Sequence, residues 1–181
     1  MRSFLWTGAV AFTIAALFEV NDASAQKKKK EDATPIPRKE DVPKLLASMK
    51  KGNATDRAFA ASQIGRLGQI QSQAVKECIE PLVELLKSDT VADVRRASAE
   101  ALGKIAPDPE TTVPVLTSAL KDKNLEVGLA AVTALGRYGP EAKSALPALR
   151  EFQKTKATDK KLGQVVTAAI KEISGAKKKG G

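Results

Sequence analysis

The chain has 181 residues, a formal net charge of +9 at pH 7, 43% hydrophobic residues and only 4% aromatic residues. This length suits one folded domain or a short repeat array, whose core must be built from Ala, Leu, Val and Ile. The single cysteine, Cys78, excludes an intramolecular disulfide and a cysteine-based metal cage, and the absence of His removes the commonest general base and zinc ligand.

Residues 1–25 are predicted to be an export signal. Arg2 is followed by an apolar stretch over residues 4–18, and the sequence Ala-Ser-Ala at residues 23–25 matches a cleavage site. The apolar stretch is shorter than a membrane-spanning helix requires, and an uncleaved membrane anchor is the alternative. We therefore expect an exported protein of the bacterial periplasm or extracellular space, with no membrane-spanning segment after cleavage.

Two lysine-containing ends are predicted to flank the folded part of the chain. Residues 26–41 form a Lys- and Pro-rich leader and residues 175–181 a basic tail, which leaves residues 42–174 as the folded array. Neither end has a repeating apolar face, so both are expected to be disordered. Their lysine runs consist of Lys27, Lys28, Lys29, Lys30, Lys177, Lys178 and Lys179. The folded part is therefore less basic than the net charge suggests.

The folded part carries an internal repeat. Pro81, Pro114 and Pro147 stand 33 residues apart, and so do two glycines in the intervening segments. A period of this length predicts stacked two-helix units, each with a proline in the first turn of its first helix. We expect four such units, with extra residues in the connection between the first two. Cys78 lies in an apolar-periodic run and is expected to be buried.

The second helix of each unit has an apolar face. In the second unit this face follows Asp93, which is expected to cap the helix. Its members recur at helical spacing and are Val94, Ala97, Ser98, Ala101, Leu102 and Ile105. Gly103 within the pattern costs about 1 kcal/mol relative to Ala, so its recurrence as Gly136 predicts a close approach of helices. The fourth unit has Lys171 instead, as is usual for a terminal repeat that meets water.

Residues 93–105, with the sequence DVRRASAEALGKI, resemble the second-helix signature of HEAT-like repeats, in particular the phycobilisome-lyase type. Residues 132–140 are similar to another copy. The resemblance covers residues 42–174 and implies an all-α fold, a right-handed alpha-alpha superhelix of about four repeats, with the second helices along its concave face. Some proteins of this kind are iron-dependent hydroxylases that use His-Glu pairs, which cannot exist here, and no bilin-lyase motif transfers to this chain.

When the second helices are aligned on their glycines, Arg66, Lys104 and Arg137 fall in one column. This column is either a ridge that faces a ligand or the usual placement of cations at helix C-termini, where they complement the helix dipole. Arg57 and Arg95 lie further back along the same helices and are also candidate contact residues.

Tyr138 is the remaining candidate, as an aromatic anchor for a partner. It also occupies a core-facing position of the repeat, so burial is the competing expectation. Carboxylates are scattered at helix starts and in turns, such as Asp89 and Asp122, where helix capping explains them. They form no catalytic pair and no metal-ligand cluster in the sequence.

These observations predict a non-enzymatic scaffold or adaptor that binds a protein or peptide on its second-helix face, with no cofactor and no metal. The alternative is a polyanion binder, for nucleic acid, acidic polysaccharide or anionic lipid, that uses the lysine runs and the basic column. A bilin-lyase-like enzyme is a third hypothesis, which would require a demonstrated chromophore adduct.

Overall fold

The computed structural model describes residues 35–156 and 160–175. In these residues the chain forms eight α-helices and no β-strand. The predicted signal segment, most of the leader and all seven lysines of the two runs lie outside the described residues. The prediction of an all-α array of four two-helix units is confirmed.

Each repeat has a first helix and a second helix. The first helices are α1 (Val42–Lys51), α3 (Ile79–Ser88), α5 (Pro109–Ala119) and α7 (Leu146–Thr155). The second helices are α2 (Ala54–Gly68), α4 (Ala92–Ile105), α6 (Leu125–Tyr138) and α8 (Lys160–Ser174). Short 3₁₀ helices precede α1, α3 and α7 at Lys39–Asp41, Ser72–Cys78 and Gly139–Ala145. None of the helices in the described residues is both long and apolar enough to cross a bilayer.

Lys39–Asp41, at the end of the predicted leader, form a 3₁₀ turn. The turn Lys39–Asp41 is closed by a hydrogen bond from the backbone N–H of Arg38 to Oδ2 of Asp41, at 2.8 Å. The chain therefore enters α1 through a defined turn, because a local side-chain acceptor satisfies the backbone there.

Proline stands in the first turn of α1, α3 and α7, as predicted. The prediction is wrong for the third repeat, where Pro114 lies inside α5. This helix begins at Pro109 and is capped by Asp108, whose carboxylate accepts a hydrogen bond from the N–H of Thr111. A longer α-helix thus replaces the 3₁₀ segment that precedes α3 and α7.

The turns before the second helices are closed in more than one way. Asn53 and Asn124 cap α2 and α6 with side-chain oxygens that accept backbone N–H groups. Asp93 does not cap α4, contrary to the prediction, because the helix begins at Ala92, two residues earlier than an Asp93 cap requires, and its N-cap residue is Val91. The N–H of Val91 donates to Oδ1 of Asp89 at 2.9 Å. The carboxylate of Asp89 therefore closes the turn before α4, and no side chain caps the helix itself.

The predicted apolar face of the second helices forms the core of the array. All six predicted positions of α4 are 6% exposed or less, and both Leu102 and Leu135 are fully buried. Cys78 is fully buried as well, in agreement with the prediction. Since neither helix of a repeat can cover this face alone, the repeats are stable only as a stack.

Consecutive second helices touch through glycine and alanine. A Cβ atom on Gly65 would lie 2.8 Å from the Cα of Ala101, and one on Gly103 would lie 2.6 Å from the Cα of Ala134. The contact between α6 and α8 is looser, with 3.2 Å to the nearest alanine atom. Backbone atoms cannot move aside as a side chain can, so close helix approach, the predicted reason for the recurring glycines, is confirmed.

The row of second helices forms the inner side of the array. Consecutive second helices contact one another more extensively than consecutive first helices do. A stack that is tighter on one side than on the other curves toward the tighter side. The exposed surface of α2, α4, α6 and α8 is therefore concave, and we call it the inner face.

We expect Gly103→Ala to lower the free energy of unfolding by about 1 to 3 kcal/mol, because the added methyl group must separate α4 from α6. The matched control is Gly163→Ala in α8, where nothing lies within 4 Å of the added atom. That variant should be unchanged or more stable by up to about 1 kcal/mol, as expected from helix propensity. Urea unfolding measures both, and equal stabilities would contradict the packing described for Gly103.

A second prediction concerns alkaline pH. Burial, assisted by nearby Glu77, raises the pKa of the Cys78 thiol from 9.0 to about 11. The thiol of the unfolded chain therefore loses its proton at a lower pH than the buried thiol. The stability that the buried thiol contributes is complete below pH 9 and falls by about 1.4 kcal/mol per pH unit as the pH rises toward 11. Cys78→Ala should lack this component. The difference in unfolding free energy between the wild type and the variant should shrink with rising pH in this range; a constant difference would contradict the assignment.

Candidate functional site

The strongest candidate for a binding surface is a row of cations on the inner face. Arg66, Lys104 and Arg137 each directly follow one of the glycines that contact the next helix, so close packing of α2, α4 and α6 brings them to the same level. Arg66 and Lys104 are half-buried and Arg137 is exposed. We call these three residues the basic row. The corresponding residue of α8 is the exposed Glu172, which ends the row.

The side chain of Lys104 leans toward α2. Its Cδ atom lies 3.5 Å from the place where a Cβ atom on Gly65 would be, so its stem uses the space that the glycine leaves. Arg66, the next residue of α2, donates from Nη1 to Oε1 of Gln63 at 3.3 Å. The tight helix contact thus brings the stem of Lys104 against α2, next to the residue that precedes Arg66.

Lys104 and Arg137 form no ion pair with any residue in the described part of the chain. Arg96, on the inner side of α4, is different: its Nη1 donates to Oε1 of Glu100 at 2.7 Å and its Nε lies 3.9 Å from Asp93. Exposed pairs of this type add little stability, but they compensate charge. The uncompensated positive charge of the inner face of α4 and α6 therefore lies on Lys104 and Arg137.

The surface beside the basic row consists mainly of small residues. One helical turn before the row are Ser62, Glu100, Thr133 and Ala168. The hydroxyl of Thr133 donates to the backbone oxygen of Leu129 at 3.0 Å, and Glu100 is held by Arg96. Short side chains at this level leave the helices open to the chain of a partner.

Arg57 and Arg95, predicted as contact residues, each bind an aspartate of the following repeat. Arg57 of α2 donates to both carboxylate oxygens of Asp89, at 2.7 and 3.0 Å. Arg95 of α4 donates to both oxygens of Asp122, at 2.7 and 2.8 Å. The side chain of Arg95 is only 7% exposed. It therefore offers a partner almost no surface, which argues against the predicted contact role.

These pairs tie α2 and α4 to the turn of the next repeat. Nη1 of Arg95 also donates to the backbone oxygen of Asp89 at 2.9 Å, so one guanidinium joins two turns. The bidentate hydrogen bonds from Arg95 hold the pKa of Asp122 below its usual value, against the opposing effect of burial. For Asp89, burial alone would raise the pKa, but the hydrogen bonds from Arg57 and Val91 outweigh burial and lower it. Helix capping was therefore an incomplete explanation of these carboxylates.

The series of arginine–aspartate pairs ends in the third repeat. The position of Arg95 is occupied in α6 by Gly128, where a Cβ atom would lie 2.6 Å from Cε2 of Phe152. The aromatic ring thus uses the space that a longer side chain would need. Lys156 reaches back instead and donates from Nζ to the backbone oxygen of Asp122 at 3.4 Å. At this turn, ring packing and one lysine therefore stand where the earlier repeats have an arginine–aspartate pair.

Tyr138 is not an exposed anchor. Its side chain is 4% exposed, and burial raises its pKa to about 12, with the Thr112 hydroxyl acting in the opposite direction. Among the described residues, the aromatic residue that is exposed is Phe59 of α2, at 42%. It lies seven residues before Arg66, which places both on one side of the helix. The sequence held one signal that Phe59 is unusual: the equivalent residues of the second and third repeats are alanines, Ala97 and Ala130, and both are buried.

No group of three or more Cys, Asp or Glu residues suited to a metal ion occurs in residues 35–156 and 160–175. A shallow depression of about 460 Å³ lies at the other end of α2 from Phe59 and is lined by Lys39, Ile70 and residues 71–74. It contains no catalytic arrangement and none of the predicted site residues. The inner face is therefore the better candidate site.

Comparison with known families gives one result. A family model described as HEAT repeats matches residues 42–112 and again residues 79–171. Together these two matches cover the four helix pairs almost completely. No curated protein matches the sequence.

We expect Arg95→Leu to lower the free energy of unfolding by about 3 kcal/mol, because it leaves Asp122 without its cation in a largely buried position. The control is Arg137→Leu, which removes an unpaired surface cation and should change stability by less than about 0.5 kcal/mol. The ion pair between Arg95 and Asp122 stabilises the fold at pH values above the usual pKa of an aspartate. This stabilisation is lost as the pH falls through the lowered pKa of Asp122. The two unfolding curves should therefore approach each other in acid, and similar losses in both variants would contradict the assignment.

Proposed function

Because the chain belongs to the HEAT repeat family, whose members generally serve as protein-interaction scaffolds, we propose that it is a non-enzymatic scaffold that binds a protein or peptide on its inner face. The observation that carries this proposal is the pair Lys104 and Arg137, two solvent-accessible cations that form no ion pair within the described residues. They stand on a surface of small side chains that could accept a partner's backbone.

The rigidity of the inner face supports the proposal. Glycine–alanine contacts fix the distance between second helices, and the pairs Arg57–Asp89 and Arg95–Asp122 fix the turns. Side chains mounted on such a frame lose little conformational entropy when a partner binds. The partner would therefore bind to contact residues that are already in position, and binding would require no folding step.

The proposal includes the compartment. Residues 1–25 have the charge, apolar stretch and small-residue site of an export signal. We propose that the mature protein meets its partner in the periplasm or outside the cell. Tag-specific detection in cell fractions, with N-terminal sequencing of the purified protein, tests both the location and the cleavage after Ala25.

Polyanion binding is the second candidate, and the two lysine runs favour it. The lysine runs lie in segments without apolar periodicity, whereas the basic row lies on packed helices. If the runs bind nucleic acid, acidic polysaccharide or anionic lipid, affinity should fall steeply with salt and vanish when all seven lysines are replaced by Gln. A bilin-lyase-like activity is less favoured, because no activity motif transfers and the sequence contains no His.

The test is affinity capture from the native compartment with two charge-reversed variants of equal net charge. Lys104→Glu with Arg137→Glu changes the inner face, whereas Lys87→Glu with Arg150→Glu changes exposed cations of the first helices α3 and α7. We expect the inner variant to lose its partner by tenfold or more and the outer variant to retain it. Thermal melts show that both are folded.

Two outcomes of the capture experiment would contradict the proposed function. Retention of the partner by the inner variant would exclude the inner face. Loss of all captured material on replacement of the seven terminal lysines by Gln, with the inner variant unaffected, would favour polyanion binding.

A further inference from the structure

We infer that the partner presents an acidic segment, whose carboxylates bind between Lys104 and Arg137 along the basic row. This inference rests on the proposed function and adds the chemistry of the partner. It is drawn from which cations of the second helices bind a carboxylate of this chain and which do not.

Among the cations of α2, α4 and α6, two sets differ in their partners. Arg57, Arg95 and Arg96 each bind a carboxylate of this chain at 2.7 Å. Lys104 and Arg137 bind none within the described residues, although both reach solvent. The helix dipole accounts for a cation in the last turn of a helix, but not for its place on the inner face. In α8, the last turn has Lys171 while the row position is Glu172.

The separation of the two cations suits carboxylates in one short segment. Close contact between Gly103 and Ala134 puts α4 and α6 at the short end of the usual range of about 8 to 10 Å between helix axes. Alternate residues of an extended chain lie about 7 Å apart, and residues i and i+7 of a helix lie about 10 Å apart. Two carboxylates in either arrangement can therefore reach both cations.

The surroundings favour a protein segment over a nucleic acid. The row is short and is bordered by Glu100 and Glu172, which would repel a continuous polyphosphate. Base stacking requires exposed aromatic rings, and Phe59 is the large aromatic side chain that the described surface exposes. Separate carboxylates on a chain with an apolar residue near Phe59 fit this arrangement better.

The test uses the full chain with a photo-crosslinking residue in place of Thr133, an exposed side chain of α6 that lies one turn before Arg137. Ser118, exposed on α5 of the outer side, provides the control position. Both proteins are expressed in the native host and irradiated, and the cross-linked material is sequenced by mass spectrometry. We expect position 133 to capture a protein segment with at least two Asp or Glu residues near the cross-link.

The charge requirement is tested by repeating the cross-link with Lys104→Gln and Arg137→Gln. The yield should fall at least tenfold, and it should remain unchanged with Lys87→Gln and Arg150→Gln. A captured segment without acidic residues, or a yield that is unaffected by the inner substitutions, would overturn this inference while leaving the proposed function in place.

Other outcomes separate the two proposals. Cross-linking from position 118 without cross-linking from position 133 would overturn both, because the partner would then bind the outer side. A cross-link from position 133 to nucleic acid would likewise overturn both, in favour of the polyanion alternative.

Discussion

The structure depends on one constraint, the direct contact between glycine and alanine on neighbouring second helices. A Cβ atom on Gly103 would lie 2.6 Å from the backbone of Ala134, which leaves no room for adjustment. This contact fixes both the distance and the register of the helices. The curvature of the array, the level of the basic row and the reach of each arginine to the next turn all follow from that register.

The same helices carry cations with two different physical roles, and Arg95 on one side and Lys104 and Arg137 on the other show the contrast. Arg95 is nearly buried, so it must retain its bidentate partner Asp122, since an unpaired charge at that depth is costly. Lys104 and Arg137 reach water, where a cation needs no partner and contributes little to folding. Arg95 therefore belongs to the fold, whereas the fold does not require a partner for Lys104 or Arg137.

Much of the fold could be predicted because it depends on local periodicity. The 33-residue spacing, the apolar face of α4 and the recurring glycines are all visible in the sequence. The role of Arg95 was not, because its partner Asp122 lies 27 residues away and is placed by the closure of a turn. An arginine that faces a neighbouring turn and one that faces solvent look alike in sequence. The exposure of Phe59 was difficult to predict for a related reason, because it follows from the place of this residue at the end of the stack. For Tyr138 the sequence left exposure and burial open, and packing buries the side chain.

The two ends of the array differ, and the difference gives the inner face a direction. At the fourth repeat, Lys171 replaces glycine and Glu172 ends the basic row, so this end is polar. At the first repeat, the equivalent level has Arg66 and, two turns earlier on the same helix, the exposed ring of Phe59. The inner face therefore has a cation and an exposed apolar ring on α2, and a carboxylate at the end of the row on α8. If the proposed acidic segment binds here, its carboxylates would be attracted toward Arg66 and Lys104 and repelled by Glu172.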